Sequence, residues 1–376
     1  LAGKPLSDLQ VGELASILKL DMILDGMVVK DSHPGAPLGA LGGSNGIIIS
    51  EYRSFLIRCV VERICLLLSI PICELELLSG FELVQRGLCD PIRAFIKGEP
   101  HSDKKVAEGR FRIISGVSLV DNIIERVMFR NTHAVEIANW RKLPTCPGMS
   151  LEDYDLEFIY EWQVQNRAGH GDVAGWDWCL PRWLMEDCTK ARLLSVDSNQ
   201  SYKDLVRAQF VCWVRGTFLV GNELWEQTRD GVQKSGSYRT SRDNSWSNYI
   251  LNQVAAIEAG HDEEVEVKAM GDDLLAQILE GVREELERLG FRVKVMQDDG
   301  PGNFEFCSQV WRGDPMAEPQ NLGKMLYRLL SKIPGSALWY QTLQSLHRDL
   351  RHHPQAENVF ARLSEYVAQE LGGATN

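Results

Sequence analysis

At 376 residues, with 44% hydrophobic content and ten Trp, the chain is a folded, enzyme-sized protein of two or three lobes and not a disordered segment. Its net charge of -12 argues on its face against nucleic acid as a partner. Its nine cysteines form no Cys-x-x-Cys pair, which argues against a zinc ribbon or a disulfide framework and for a reducing compartment. The charge is, however, uneven: residues 86 to 142 hold eleven Lys/Arg against seven acids, and residues 262 to 288 hold ten acids against three bases. One basic and one acidic segment suit a protein that holds a polyphosphate in one place and metal ions in another.

Taken in chain order, residues 7 to 28 predict a helix entered at Ser7, followed by a Gly/Pro-rich loop over 31 to 46. Residues 51 to 69 are helical in pattern. The apolar stretch 55 to 72 contains Arg58, Glu62 and Arg63, so a buried or amphipathic helix is expected there in preference to a membrane span. Strand-like and basic segments run to 115, and helices are expected over 121 to 139 and 151 to 166. Short segments of mixed type follow from 172 to 222. Helices are expected over 240 to 259, closed by Gly260, and 277 to 289, closed by Gly290; 304 to 311 reads as a strand. After Pro315 the pattern is helical, which suggests a separate C-terminal lobe. No signal peptide is visible, and a first residue of Leu suggests a processed product or an excised domain.

Three segments carry chemistry. Residues 264 to 270 alternate, with Val265, Val267 and Ala269 on one face and Glu264, Glu266 and Lys268 on the other, and then Gly271-Asp272-Asp273 presents two carboxylates at a turn. Such a turn suits a hard divalent cation, which takes carboxylates together with substrate phosphates; it equally suits an ordinary acidic hairpin. Upstream lies Asp172-Val-Ala-Gly-Trp-Asp177-Trp. Two-metal chemistry needs carboxylates from different segments, and Asp172 is the natural partner of Asp272; the alternative is a surface Asp in a glycine-rich loop. Its left flank, Ala168-Gly-His-Gly, is poor in strand formers. Between the two, Ser235-Gly236 opens a helix on which Thr240 and Asn244 share a face, able to point a hydroxyl and an amide at a sugar or simply to cap the helix.

Read together, these segments resemble the palm motifs of a viral RNA-dependent RNA polymerase, in order and at that family's approximate separations. The basic segment from Ile96 through Lys97, Lys105, Arg110 and Arg112 resembles the fingers motif that grips the incoming triphosphate. His33-Pro-Gly35-Ala-Pro37-Leu-Gly resembles the template-guiding loop. Phe304-Glu-Phe-Cys-Ser308 resembles the primer-grip hairpin of the sobemovirus, barnavirus and luteovirus-like lineage, and Gly175-Trp-Asp-Trp178 points to the same lineage. The resemblance covers residues 31 to 311.

The resemblance implies an α+β right hand with an antiparallel palm sheet: fingers 1–165, palm 166–194, a fingers insertion 195–234, palm 235–315 and a helical thumb 316–376. It implies that Asp172 and Asp272 ligate two Mg²⁺ ions, with Mn²⁺ as a substitute, and that Asp273 supports them. Asp177, Thr240 and Asn244 would read the ribose 2′-hydroxyl, which tells an RNA precursor from a DNA one. Lys97, Lys105, Arg110 and Arg112 would neutralise the triphosphate, Ser235 and Gly236 would form the mobile loop, and Gly35 and Pro37 would guide the template. Implied partners are single-stranded RNA template, nascent RNA, nucleoside triphosphates, a genome-linked protein primer and other viral replication proteins. The implied location is the host cytoplasm, in a membrane-associated replication complex. Two positions depart from the family pattern. His33 stands where related viruses often have a small hydroxyl residue, and Lys294, the only lysine near the family's general acid, falls in a strand-like segment and is equally an exposed surface lysine. In the thumb, Lys324, Arg328 and Lys332 share one helix face, suited to lining a duplex exit or to solvation.

Rival readings are a reverse transcriptase, which shares the palm carboxylates but usually blocks the 2′-hydroxyl with a bulky side chain, and a catalytically silent RNA-binding replication scaffold. Ribonucleotide against deoxyribonucleotide incorporation separates the first; the effect of Asp272→Asn separates the second.

Overall fold

A computed structural model describes residues 5–99, 101 and 103–372; Pro100 and Ser102 of the basic segment lie outside the described residues. The strands, in chain order, are β1 (Ile92–Ile96), β2 (Ile113–Gly116), β3 (Ala168–Val173), β4 (Thr217–Val220), β5 (Glu223–Glu226), β6 (Val267–Met270), β7 (Asp273–Gln277), β8 (Val293–Gln297), β9 (Asn303–Phe306), β10 (Gln309–Arg312) and β11 (Glu318–Pro319). With long helices between them they make an α+β fold. It divides into two compact units: Leu1–Gly98, Asp103–Pro147 and Gly175–Leu251 form the first, and Glu99–Ser102, Gly148–Ala174 and Asn252–Asn376 the second.

The first unit is mainly helical around a sheet of order β2-β1-β4-β5. Its core starts from the helix Arg53–Ser69, whose buried Leu56, Val60, Val61, Ile64 and Leu67 recur at helical spacing. No helix among the described residues is long and apolar enough to cross a membrane. Arg63, on the same helix, is satisfied by Asp90 and Asp121, each at 2.9 Å. The predicted helix over 7 to 28 is two, Asp8–Ile17 and Leu20–Gly26. Ser7 does open the first with a reciprocal Ser7–Gln10 capping box, and Lys19 breaks the run in the left-handed region at φ 55°. The segment expected to be of mixed type contains two long helices, Arg182–Leu194 and Gln200–Val214.

The second unit is built on an antiparallel sheet of order β6-β7-β3-β8, beside a smaller sheet of order β11-β10-β9. A cluster of Leu329, Trp339, Leu346, Leu350 and Leu363 closes its C-terminal helices. The helix expected over 277 to 289 is shorter, Val282–Arg288, because residues 273 to 277 extend β7 instead and Gly281 supplies the left-handed N-cap. The strand expected over 304 to 311 is a hairpin, β9 and β10, turned by Cys307 and Ser308 with φ of 52° and 59°. Two-residue turns with both central residues at positive φ match the twist of the strands they join.

Lys268 departs from the alternation that placed it outward. It is buried, its ammonium 5.7 Å from the Phe158 ring and 5.8 Å from Trp162, where the negative faces of the rings offset desolvation. β3 forms despite its poverty in strand formers, with a shift of register against β8 between Asp172 and Val173, and its glycines have a steric reason. A Cβ on Gly169 would come within 2.2 Å of the Gln297 carbonyl oxygen, so only glycine lets β8 approach. Gly169→Val, although it raises intrinsic strand propensity, is therefore expected to destabilise the protein by about 1–3 kcal/mol in chemical denaturation. An unchanged or raised midpoint would show that the backbone shifts freely there.

Candidate active site

In the second unit the sheet gathers the acidic residues. Antiparallel pairing of β3 with β7 sets Gly171 opposite Leu274, so one further step of the same register brings Asp172 level with Asp273. β6 and β7 are joined across Met270 and Asp273 by a two-residue turn, Gly271 at φ 67° followed by Asp272. Gly271 makes the turn possible, and the turn lifts Asp272 clear of the sheet. On the other side of β3, Asp172 pairs in register with Val295, and Lys294 Nζ lies 2.8 Å from Asp172 Oδ2, with both side chains about half exposed.

The three carboxylates are close enough to act on one another. Asp273 is open at the surface, yet its carboxyl is pushed up to about 6, first by desolvation and then by the fields of Asp272 and Asp172, against a backbone hydrogen bond from Cys307. The hairpin turn at Cys307 thus supports the acidic pair. Among the described residues no group of three or more His, Cys, Asp or Glu is arranged as a complete metal cage. The donor set still fits a hard divalent cation of the kind that keeps water and substrate phosphates as its remaining ligands, and Lys294 already stands as a cation against Asp172.

The first unit holds the other predicted residues. Asn244 Nδ2 donates to Asp177 Oδ1 at 2.8 Å, so those two are brought together across 67 positions of sequence. Thr240 does not project free beside Asn244: its hydroxyl donates to the Lys234 carbonyl at 2.6 Å and so closes the loop before the helix Thr240–Glu258. Gln233 bridges the set, its amide nitrogen reaching the Asn244 Oδ1 at 3.1 Å and the Thr240 carbonyl at 3.3 Å, while its backbone N–H donates to the Asp177 carbonyl. Lys234 is fully buried, Nζ on the Trp213 and Gly231 carbonyls, and burial brings its pKa down to about 7.

The Ser235–Gly236 loop is pinned to β2. Ser235 Oγ accepts from the Ser115 N–H at 3.0 Å, and the Gly236 N–H donates to the Ser115 carbonyl at 2.9 Å. A Cβ at Gly236 would lie 2.4 Å from that same oxygen. Because β2 is the second strand of the basic hairpin, the loop and the hairpin are one hydrogen-bonded structure. The Lys97 N–H donates to the Arg112 carbonyl at 2.8 Å, extending the pairing of β1 with β2. Lys105, Arg110 and Arg112 are exposed around the short helix Asp103–Ala107, and Arg110 is engaged by Glu108.

Beside the loop, a cavity of about 360 Å³ is lined by His33, Gly35, Arg93, Phe95, Gly236 and Tyr238, among others. Gly35 has φ 72°, and a Cβ there would meet the Ser118 Cα at 2.8 Å. Pro37 precedes the short helix Leu38–Leu41, with the Gly39 N–H donating to the Gly35 carbonyl at 2.6 Å. His33 Nε2 is 2.8 Å from Arg93 Nη1, and burial, then the Arg93 charge, lowers the His33 pKa. In the C-terminal helices Lys324 is paired with Glu99 at 3.3 Å.

Sequence reasoning missed Ser115, Gln233, Ser237, Arg93 and Glu125. For Glu125 a signal existed. It precedes Met128 by three residues and Phe129 by four, so an acid sits in the apolar stripe of the helix Leu119–Asn139.

The family model described as "Viral RNA-directed RNA-polymerase" matches residues 26–160 and 157–307. The "RNA-directed RNA polymerase" of Mushroom bacilliform virus is 34% identical over 341 residues, covering 88% of this chain and 81% of that protein. "Protein P1-P2" of Potato leafroll virus is 38% identical over 273 residues, covering 68% of this chain and 24% of that protein. The "Replicase polyprotein P2AB" of Southern cowpea mosaic virus is 32% identical over 348 residues, covering 89% of this chain and 34% of that protein. The chain thus spans most of the first relative but only a quarter to a third of the other two. The acidic hairpin, the strand that flanks it and the looped helix start all fall within the matched segments, and the chain belongs to the viral RNA-directed RNA polymerase family, in the lineage of these relatives.

Proposed function

We propose that this chain carries out template-directed RNA synthesis from nucleoside triphosphates, replicating a viral RNA genome by two-metal-ion nucleotidyl transfer. The observation that carries the proposal is the sheet that sets Asp172 level with Asp273 and turns Asp272 out at the adjoining hairpin. Two Mg²⁺ ions, or Mn²⁺, held by Asp172 and Asp272 with Asp273 in support, would when bound neutralise the phosphates and acidify the attacking 3′-hydroxyl. Catalysis is otherwise mostly positioning and charge stabilisation, as is general for phosphoryl transfer. Lys97, Lys105, Arg110 and Arg112 hold the triphosphate; Asp177, Thr240 and Asn244 read the 2′-hydroxyl; Lys294 Nζ donates the proton that leaves with pyrophosphate. Gly35 and Pro37 shape the loop beside the 360 Å³ cavity, which takes the single-stranded template by its backbone.

In this proposal the right-hand divisions are fingers 1–165 and 195–234, palm 166–194 and 235–315, and thumb 316–376, with Arg328 facing the nascent duplex; Lys332, expected on the same helix face, lies past the end of the helix Leu322–Leu330 and does not share it. The polyprotein name of the cowpea virus relative supports release of this chain from a precursor. Action in a membrane-associated complex in the host cytoplasm, with a genome-linked protein primer and other viral replication proteins as partners, belongs to the same proposal.

Primer extension on a single-stranded RNA template, with Mg²⁺ or Mn²⁺ and either ribo- or deoxyribonucleotides, is the test. Wild type is expected to extend with ribonucleotides and Asp172→Asn to give no product. A preference for deoxyribonucleotides would favour a reverse transcriptase, and no wild-type product under either metal would count against synthesis altogether.

A further inference from the structure

The Ser235–Gly236 loop is held from two sides. Ser115 grips it from β2. On the other side stands Glu125, 1% exposed on the helix Leu119–Asn139. Both of its carboxylate oxygens lie 2.8 Å from Ser237 Oγ, one also accepts the Tyr238 N–H at 2.8 Å, and Gln209 Nε2 donates at 3.4 Å. Ser237 is the next link. Its Oγ accepts the Arg239 N–H at 3.3 Å and its carbonyl accepts the Thr240 N–H at 3.3 Å, so it satisfies the donors that open the helix carrying Thr240 and Asn244.

The carboxylate has a costly address. Burial raises the pKa of Glu125, and the Arg239 charge and the hydrogen bonds from Ser237 and Tyr238 pull the other way. The hydrogen bonds that reach it come from Ser237, Tyr238 and Gln209, and in each Glu125 is the acceptor. A neutral or apolar side chain would be cheaper to bury if filling space were the only task. What the charge adds is direction: two fixed acceptors set where Ser237 and Tyr238 lie, and through them where the helix begins.

We propose that Glu125 is a positioning residue for nucleotide selection, fixing Ser237 and so the placement of Thr240, Asn244 and the hydrogen-bonded Asp177 against the ribose. The proposal rests on the ribonucleotide reading above. Glu125 touches no substrate; it acts through the loop. Because Asn244 and Asp177 are bonded to each other and to Gln233, a shift of the helix start moves the group as a unit.

The test compares Glu125→Gln and Ser237→Ala with wild type in primer extension, reading the ratio of kcat/KM for ribo- over 2′-deoxyribonucleoside triphosphate, with thermal midpoints measured alongside. Both variants are expected to lower that ratio about tenfold, the scale of one misdirected hydrogen bond to a charged group. Glu125→Asp keeps the charge but withdraws it by one methylene, and is expected to do the same. Ser237→Ala removes a single donor and keeps the test usable if the Glu125 variants do not fold. A fall in midpoint with the ratio unchanged would reduce Glu125 to a structural role and overturn the inference while leaving RNA synthesis standing. Absence of wild-type product would overturn both.

Discussion

Asp272→Asn is expected to cut nucleotide incorporation by at least about a thousandfold while leaving thermal stability unchanged or slightly higher. The two effects part company because Asp272 sits exposed at a turn and contributes repulsion to its own cluster: its charge is one of the causes that push Asp273 up to about 6. Asparagine keeps the shape and removes the charge. Thermal denaturation without divalent ions would register the relief, and primer extension would register the loss. Adding Mg²⁺ should raise the midpoint of wild type more than that of the variant, by the linkage between binding and stability. Near-normal incorporation by the variant would remove Asp272 from the catalytic role and revive the silent-scaffold reading.

The largest expected loss of stability lies elsewhere, in the buried ions beneath the loop. Asp243, 1% exposed, is 2.8 Å from Arg192 and paired with Arg239, which is itself fully buried and stacked 3.9 Å from the centre of the Trp213 ring. Asp243→Ala leaves two buried guanidinium groups facing an apolar side chain, a change expected to cost about 3–5 kcal/mol. Asp153 makes a useful control. It pairs with Arg351 at 2.6 Å and with His352 at 2.8 Å, but its side chain is 54% exposed. Asp153→Ala is expected to cost under about 1 kcal/mol despite its similar geometry. Urea titrations of the two variants give the comparison, and equal losses would show that burial is not what decides.

What could be read from the chain followed from whether the cause was local. The helix Leu119–Asn139 was legible because its buried residues form one stripe. The helix Gln200–Val214 was not, since its second half, Ala208 to Val214, is buried on every side, and only Gln200, Lys203, Asp204 and Arg207 in its first half mark a polar face. β3 hid for the opposite reason: the approach of Gln297 demands glycine where propensity asks for a branched residue. In the candidate site, Gly271, Asp272 and Asp273 stood out because a turn glycine followed by two carboxylates is a local pattern. Their supports did not. Ser115 meets Ser235 across 120 positions and Glu125 meets Ser237 across 112, and no local pattern records a contact at that range.

The tie between Gly236 and Ser115 also limits how this sequence can change. The atom that leaves no room for a Cβ at position 236 is a main-chain oxygen, which every residue type at position 115 would present. A side-chain clash can be relieved by a second substitution across the contact, and this one cannot. Position 236 is thus closed to the compensated pairs of mutations that relieve side-chain clashes, and resistance to a small molecule seated against that loop would have to arise at other residues.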